Sequence, residues 1–152
     1  MRRAHILLIA GAVVVVFILV SALLARVFSA DGAERSAITS LLDAEAKGDT
    51  TGVISQIQGC STSESCRARA AANVDQLQRP GAVSILQLQP SAGFSLGSTL
   101  GVARVAWRIG SSLPIVQCVR VRRAGNAISG LHVELLEVSP RITSDDPCPT
   151  RF

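Results

Sequence analysis

The chain has 152 residues, of which 48% are hydrophobic, 17% charged and 3% aromatic, and its net charge is +4. Three of the 15 basic residues, Arg2, Arg3 and Arg26, precede Asp31, so the rest of the chain has 12 basic residues against 11 acidic ones. This balance and the scarcity of aromatic side chains argue against nucleic acid as a partner.

The first predicted element is an apolar run from Ile6 to Ala25 that contains no ionisable side chain. In a helix with a rise of 1.5 Å per residue, about 20 residues span about 30 Å, the thickness of the hydrocarbon core of a bilayer. The sequence therefore predicts a transmembrane helix over residues 6–26, with the lipid bilayer as its partner.

The charges that flank this run predict its orientation. Arg2 and Arg3 lie before the run and only Arg26 lies directly after it, so the positive-inside rule places residues 1–5 in the cytoplasm. We expect a single-pass protein of the cell membrane whose remaining chain lies outside the cytoplasm. Two alternatives stay open, a cleaved secretory signal and a buried helix of a soluble protein. Against cleavage, the run exceeds the usual apolar length of about 7–15 residues, and Phe28 stands where a cleavage site needs a small residue.

The residues after the anchor number about 120, which suits one domain. Residues 27–33 are interpreted as a short connector. A domain helix is expected to begin near Asp31, with Glu34 completing a capping box, and Lys47 and Gly48 indicate its end. Its residues at three-and-four spacing form a stripe that is apolar until the last turn, as is typical of a helix. The positions on that stripe are Ala37, Ile38, Leu41, Leu42 and Glu45.

Two further helices are expected, a short one from about Asp49 to Gly59 and a third over residues 64–77. From residue 83 onward the hydrophobic period changes to two, which predicts four antiparallel strands, the last two joined by a turn at residues 124–126. The apolar face of the sheet is predicted to hold Ala103, Val105, Trp107, Ile109, Ile115, Val119, Val121, Leu131, Val133 and Leu135. Three helices that cover one face of a four-stranded antiparallel meander make residues 34–142 an α+β domain.

Four cysteines, Cys60, Cys66, Cys118 and Cys148, all lie on the side expected to be exported. Oxidising conditions there favour disulfides, and four cysteines allow three pairings. Cys60 and Cys66 bracket a short polar loop and form the natural local pair, which leaves Cys118 to hold the tail, residues 143–152, through Cys148. A metal site is disfavoured because no two ligands stand at Cys-x-x-Cys spacing and His132 is the only exported histidine.

The order of elements from Asp31 to Ile142 resembles the nuclear-transport-factor-like superfamily, also called polyketide-cyclase-like or cystatin-like. The opening helix Glu34-Arg-Ser-Ala-Ile-Thr-Ser-Leu-Leu-Asp-Ala-Glu-Ala-Lys-Gly-Asp49 carries the resemblance, with its Ala-x-x-x-Gly-Asp ending. The stretches Trp107-Arg-Ile and Pro114-Ile-Val-Gln-Cys-Val-Arg-Val are similar to anchored actinobacterial domains of this type. The resemblance implies a cone-like domain with a bent sheet and a cavity between helix and sheet, in a superfamily of enzymes, binding modules and scaffolds.

A pocket in that cavity would be lined by residues such as Val105, Trp107 and Leu135. No catalytic, metal-binding or cofactor-binding residues are assigned, because His132 is expected on the polar face beside Glu134. The acids near the end of the first domain helix are interpreted as solvent-exposed. These acids are Asp43, Glu45 and Asp49.

Arg104, Arg108, Arg120 and Arg122 fall on one sheet face by alternation. This face is a candidate docking surface for a protein partner or for anionic lipid. The alternative is a solvated face that is partly neutralised by nearby glutamates and partly covered by the C-terminal tail.

These observations favour a membrane protein whose exported domain is an interaction or assembly module in a membrane complex. Its layout resembles the bitopic scaffold proteins of type IV secretion systems and some transporter-associated proteins of actinobacteria. The alternative function is a binding module for a small apolar ligand. An enzyme of the polyketide-cyclase-like type is the third hypothesis, and we expect the protein not to be an enzyme.

Overall fold

The computed structural model describes residues 2–90, 99–126, 130–143, 146–149 and 152. Within these ranges it describes the side chains of all residues except 2–10, 23–31 and 125–131. The helices are α1 Arg2–Lys47, α2 Thr50–Gln56 and α3 Glu64–Leu77, with one 3-10 turn at Cys60–Thr62. The strands are β1 Val83–Gln89, β2 Leu100–Ile109, β3 Ile115–Asn126 and β4 Gly130–Val138. The predicted α+β class is therefore confirmed. Among the described residues, no helix is both long and apolar enough to cross a membrane.

The first helix differs from the prediction in one respect. α1 is unbroken from Arg2 to Lys47, so the expected helix start at Asp31 is wrong, and residues 27–33, interpreted as a connector, are helical. The connector contains no proline, and Gly32 costs a helix interior only about 1 kcal/mol relative to alanine. Glu34 is fully buried rather than placed at a helix terminus. The local capping pattern is thus overridden by helix continuity and packing.

The four strands pair antiparallel in the order β1-β2-β3-β4, as a meander. The period-two prediction is confirmed on the inner face, where Val105, Trp107, Val119 and Val121 are fully buried. The ladder between β3 and β4 extends to the pair Asn126 and Gly130. The predicted turn at residues 124–126 is therefore wrong, because these residues still belong to β3. The expected loop at residues 93–97 lies outside the described residues.

The core lies between the helices and the inner face of the sheet. Ile38, Leu41 and Leu42 of α1 are fully buried, as their spacing predicts, and α3 adds Val74 and Leu77. Register irregularities interrupt two of the three strand pairs, between Ile85 and Gln87 in β1 and between Arg120 and Val121 in β3. Such irregularities bend a strand and increase its twist, which lets the sheet close around the helices.

Both expected disulfides are present. Cys60 pairs with Cys66 at a Cα–Cα distance of 5.2 Å, and Cys118 pairs with Cys148 at 5.7 Å. The second bond holds the C-terminal segment against β3, where Ile142 also forms an antiparallel bridge with Val116. The tail thus covers part of the outer sheet face.

Candidate functional site

The helix–sheet interior is the place where the sequence predicted a pocket. Val105 and Trp107 are 0% exposed and Leu135 is 3% exposed, and all three belong to the hydrophobic core. Leu135 also reaches the wall of an open groove of about 710 Å³ between α2 and β4. The structure thus places these residues among packed side chains, and Val105 and Trp107 have no exposed surface for a ligand.

Glu45 does not have the solvent-exposed position expected from the sequence. It is 0% exposed and occupies the last position of the α1 stripe that Ile38, Leu41 and Leu42 begin. Glu45 lies four positions after the buried Leu41 and three positions after the buried Leu42, so its side chain lies on the same face of the helix. The helical spacing indicates that position 45 is buried, whereas an acidic residue at that position suggests exposure to solvent.

Polar groups from distant parts of the chain lie around Glu45. Asn73 of α3 donates one hydrogen bond to Glu45 Oε1 at 3.1 Å and another to the Ser139 carbonyl oxygen at 3.1 Å. Gln117 of β3 also donates to the Ser139 carbonyl at 3.1 Å. We call Glu45, Asn73, Gln117 and Ser139 the interior polar cluster. All four are buried, and they link α1, α3, β3 and the end of β4.

Trp107 is joined to this cluster through its indole nitrogen. The indole N–H donates to Gln117 Oε1 at 2.8 Å, so the large side chain at the centre of the sheet has its one polar group satisfied. The Ser139 hydroxyl accepts from the Cys118 backbone N–H at 2.9 Å and donates to the Pro140 carbonyl oxygen at 2.7 Å. The cluster therefore fixes the ends of β3 and β4 as well as the helices.

The Glu45 carboxyl has an unusual protonation equilibrium. Burial raises its pKa from 4.5 to about 7, while hydrogen bonds from the Asn73 and Gln117 side chains act in the opposite direction. Its Oε2 atom is buried without a hydrogen-bond partner among the described residues. A carboxyl with this pKa can hold or release a proton near neutral pH.

The arginines of the outer sheet face are largely engaged by neighbouring groups. Arg122 contacts Glu134 at 2.6 Å and Arg120 contacts Glu137 at 3.6 Å, each across a β3–β4 pair. The Arg120 guanidinium also lies 5.2 Å from the centre of the Phe152 ring. The expected neutralisation by glutamates and cover by the tail are thus both present.

The other two arginines of that face differ in exposure. Arg108 is exposed near the end of β2, whereas Arg104 is half-buried and lines a groove of about 480 Å³ together with Asp146 and Cys148. Arg108 is accordingly the member of the four that offers its charge most openly to solvent.

His132 lies where the sequence predicted it. Its side chain is 61% exposed and its Nε2 lies 3.6 Å from Glu134 Oε1, on the polar face of β4. Within the described part of the chain, no group of three or more His, Cys, Asp or Glu side chains could hold a metal ion.

Comparison of the chain with protein-family models, with curated proteins and with solved structures gave no match. What its surfaces can do therefore follows from their own geometry. That geometry offers an interior polar cluster without an exposed member, and an outer face of paired arginines.

Proposed function

We propose that the chain is a single-pass protein of the cell membrane, with residues 1–5 in the cytoplasm and the disulfide-bonded domain outside. We propose further that this domain is an interaction or assembly module of the nuclear-transport-factor-like type. The order of three helices and a four-stranded meander supports the fold assignment, and the two disulfides are compatible with an oxidising compartment.

The observation that carries the membrane assignment is the exposure of an apolar segment of α1. Eight consecutive large apolar residues, Val13–Val20, are each 49–71% exposed. Because consecutive helical residues point in all directions, a partner on one face would leave most of them in water. Burial of one such side chain is worth about 1.5–3 kcal/mol, so the eight together favour an apolar environment by on the order of 10 kcal/mol. A lipid environment surrounds all faces at once, and the uninterrupted run in the sequence is long enough to span it.

The packed interior of the domain favours an interaction module over a ligand-binding module. The candidate pocket residues Val105 and Trp107 are fully buried, and Trp107 is hydrogen-bonded inside the core. Recognition by this domain is therefore assigned to its exterior. The exposed Arg108 on the outer sheet face is the residue with which we propose that a protein partner interacts.

The membrane assignment is tested on the full chain in intact cells. We expect the wild type to stay with membranes after alkaline extraction, to keep its full mass, and to lose its C-terminal portion to added protease. A variant with Val15→Arg and Ile18→Arg should be released, whereas Val15→Leu with Ile18→Leu should behave as wild type. Release of the wild type, a mass without the first 30 or so residues, or a protected C-terminal portion would overturn the assignment.

The interaction role is tested by a photo-crosslinking amino acid placed at Arg108 in membranes. We expect discrete crosslinked products of fixed mass from this position. A probe at Gln76, which is exposed on α3, serves as the matched control and should give none of them. Identical product patterns from both positions would contradict a docking role for the outer sheet face.

A further inference from the structure

We propose that the interior polar cluster is a proton-controlled clamp on Ser139, the residue directly after β4. The clamp holds Ser139 inside the domain when the Glu45 carboxyl is neutral, and it releases Ser139 when the carboxyl ionises. Ser139 begins the segment that leads to Cys148 on the outer sheet face, so the clamp regulates how that face is covered. This last consequence rests on the docking role of the outer face proposed above, whereas the clamp itself does not.

Two side-chain amides hold both Glu45 and Ser139. Asn73 Nδ2 donates to Glu45 Oε1 and to the Ser139 carbonyl oxygen, each at 3.1 Å. Gln117 donates to the same Ser139 carbonyl at 3.1 Å, and its side chain is the second amide whose hydrogen bond lowers the pKa of Glu45. The carboxyl and the carbonyl therefore share the same pair of donors. Hydrogen bonds to an ionised acceptor are roughly twice as strong as those to a neutral one, so ionisation shifts this competition towards Glu45.

The closed site favours the neutral form of Glu45. The residue is 0% exposed, and its Oε2 has no hydrogen-bond partner within the described part of the chain. The causes of its raised pKa are burial and the two opposing amide hydrogen bonds, with no charged side chain among them. An ionised Glu45 therefore needs water or further donors, which it obtains only if the site opens.

The charged side chains near the cluster lie outside it. Arg108 of β2 and Arg120 of β3 are on the outer sheet face, where Arg120 pairs with Glu137. The charged residues nearest in sequence to the cluster members on α1, α3 and the end of β4 are all half-buried or exposed. They are Asp43, Lys47, Arg69, Asp75, Glu137 and Arg141.

Ser139 is the member of the cluster whose displacement disturbs the fold least. The other three members lie within helices or the sheet, whereas Ser139 follows the end of β4 and precedes the exposed Pro140. Two hydrogen bonds join it to β3, from its N–H to the Cys118 carbonyl oxygen at 2.8 Å and from the Cys118 N–H to its hydroxyl at 2.9 Å. The disulfide between Cys118 and Cys148 keeps the segment tethered when these bonds break.

The test measures hydrogen exchange of the full oxidised chain in detergent micelles at pH 5 and pH 8, resolved to single residues and corrected for the intrinsic effect of pH. The reporters are the backbone amides of Cys118 and Ser139, and the amides of Val105 and Trp107 in β2 are the reference for unfolding of the sheet. In an open site the carboxyl returns to its ordinary pKa of 4.5, against about 7 in the closed site. Linkage then predicts that opening increases by up to about 70-fold between the two pH values. We expect the reporters to lose protection by about 10-fold to 70-fold, and to be less protected than the reference amides at pH 8.

The variant Glu45→Gln keeps a carbonyl oxygen that can accept from Asn73 and cannot ionise. Its reporters should change by less than about two-fold between pH 5 and pH 8. Asp43→Asn, which removes a half-buried acid from the same helix, is the matched control and should behave as the wild type.

The other outcomes would overturn the clamp. Equal protection of reporter and reference amides in the wild type at pH 8 would mean that Ser139 is released only when the whole domain unfolds. A change below about two-fold in the wild type, or an undiminished change in Glu45→Gln, would mean that the ionisation of Glu45 does not control the release. The wild-type data decide the inference even if the variant does not fold. Failure of the crosslinks from position 108 would refute the docking role and leave the clamp standing, which separates the two failures.

Discussion

Replacement of Glu45 by glutamine should remove most of the pH dependence of the domain's stability near neutral pH. The carboxyl has a pKa of about 7 in the folded chain against 4.5 without burial. Since the folded-state pKa is the higher one, the folded form binds the proton more tightly than the unfolded form does. Its stabilising contribution is complete below about pH 4.5 and is lost as the pH rises towards 7. With about 1.4 kcal/mol per pKa unit, the loss is about 3 kcal/mol.

The variant Glu45→Gln keeps a carbonyl oxygen that can accept from Asn73 and cannot ionise. We expect it to be more stable than the wild type at pH 8 by up to about 3 kcal/mol, and to lose this advantage at pH 4.5. The measurement is urea unfolding of the full chain with intact disulfides, followed by the fluorescence of Trp107, the single tryptophan. Asp75→Asn, which removes an exposed acid from α3, is the matched control. A stability difference between wild type and Glu45→Gln that stays constant from pH 4.5 to 8 would refute the reasoning.

Three further predictions concern the core, the tail and the long helix. Trp107→Phe leaves the buried Gln117 Oε1 without its donor and should lower the free energy of unfolding by at least about 1–3 kcal/mol. Unfolding followed by circular dichroism measures this change, and a loss under about 0.5 kcal/mol would contradict the role of the hydrogen bond. Replacing both Cys118 and Cys148 by serine opens a loop of 30 residues and should lower the free energy of unfolding by about 3.6 kcal/mol. Replacing Cys60 and Cys66, which close a loop of six residues, should lower it by about 2.2 kcal/mol. The reverse order in urea unfolding would contradict the loop-length argument. Gly32→Ala meets no atom within 4 Å of the added carbon and should increase helicity and stability by up to about 1 kcal/mol; no gain would indicate a break in α1.

The sheet could be predicted because its signal is local. Alternation of apolar and polar residues is set by the strand itself, so the buried positions of β2 followed from the sequence alone, as did Ile115, Val119 and Val121 of β3. The burial of Cys118 did not follow from it, because the alternation places Cys118 on the opposite face. The pairing of Cys60 with Cys66 was equally local. The turn between β3 and β4 was misplaced because Gly125 and Asn126 carry turn chemistry, whereas the ladder continues through them to Gly130.

The interior polar cluster could not be predicted in the same way. Position 45 was readable from the helical spacing, but its partner Asn73 is 28 residues away, and Asn73 reaches Ser139 across another 66. Nothing in the local pattern of α3 or β3 distinguishes a buried amide from an exposed one. Only the packing of three elements decides which amides are enclosed, and a buried carboxyl is tolerated because those amides are there.

The capping pattern of Asp31 and Glu34 shows how one stretch of sequence can support two structures. In a free helix terminus these residues would satisfy backbone N–H groups that otherwise have no partner. In the full chain the preceding turns supply carbonyl acceptors instead, and Glu34 is buried against the domain. α1 is therefore one rod that has exposed apolar side chains at Val13–Val20 and buried ones from Ile38 onward. The helix has no break between the exposed apolar segment and the part that packs in the domain, so a change in the direction of one part also changes the direction of the other.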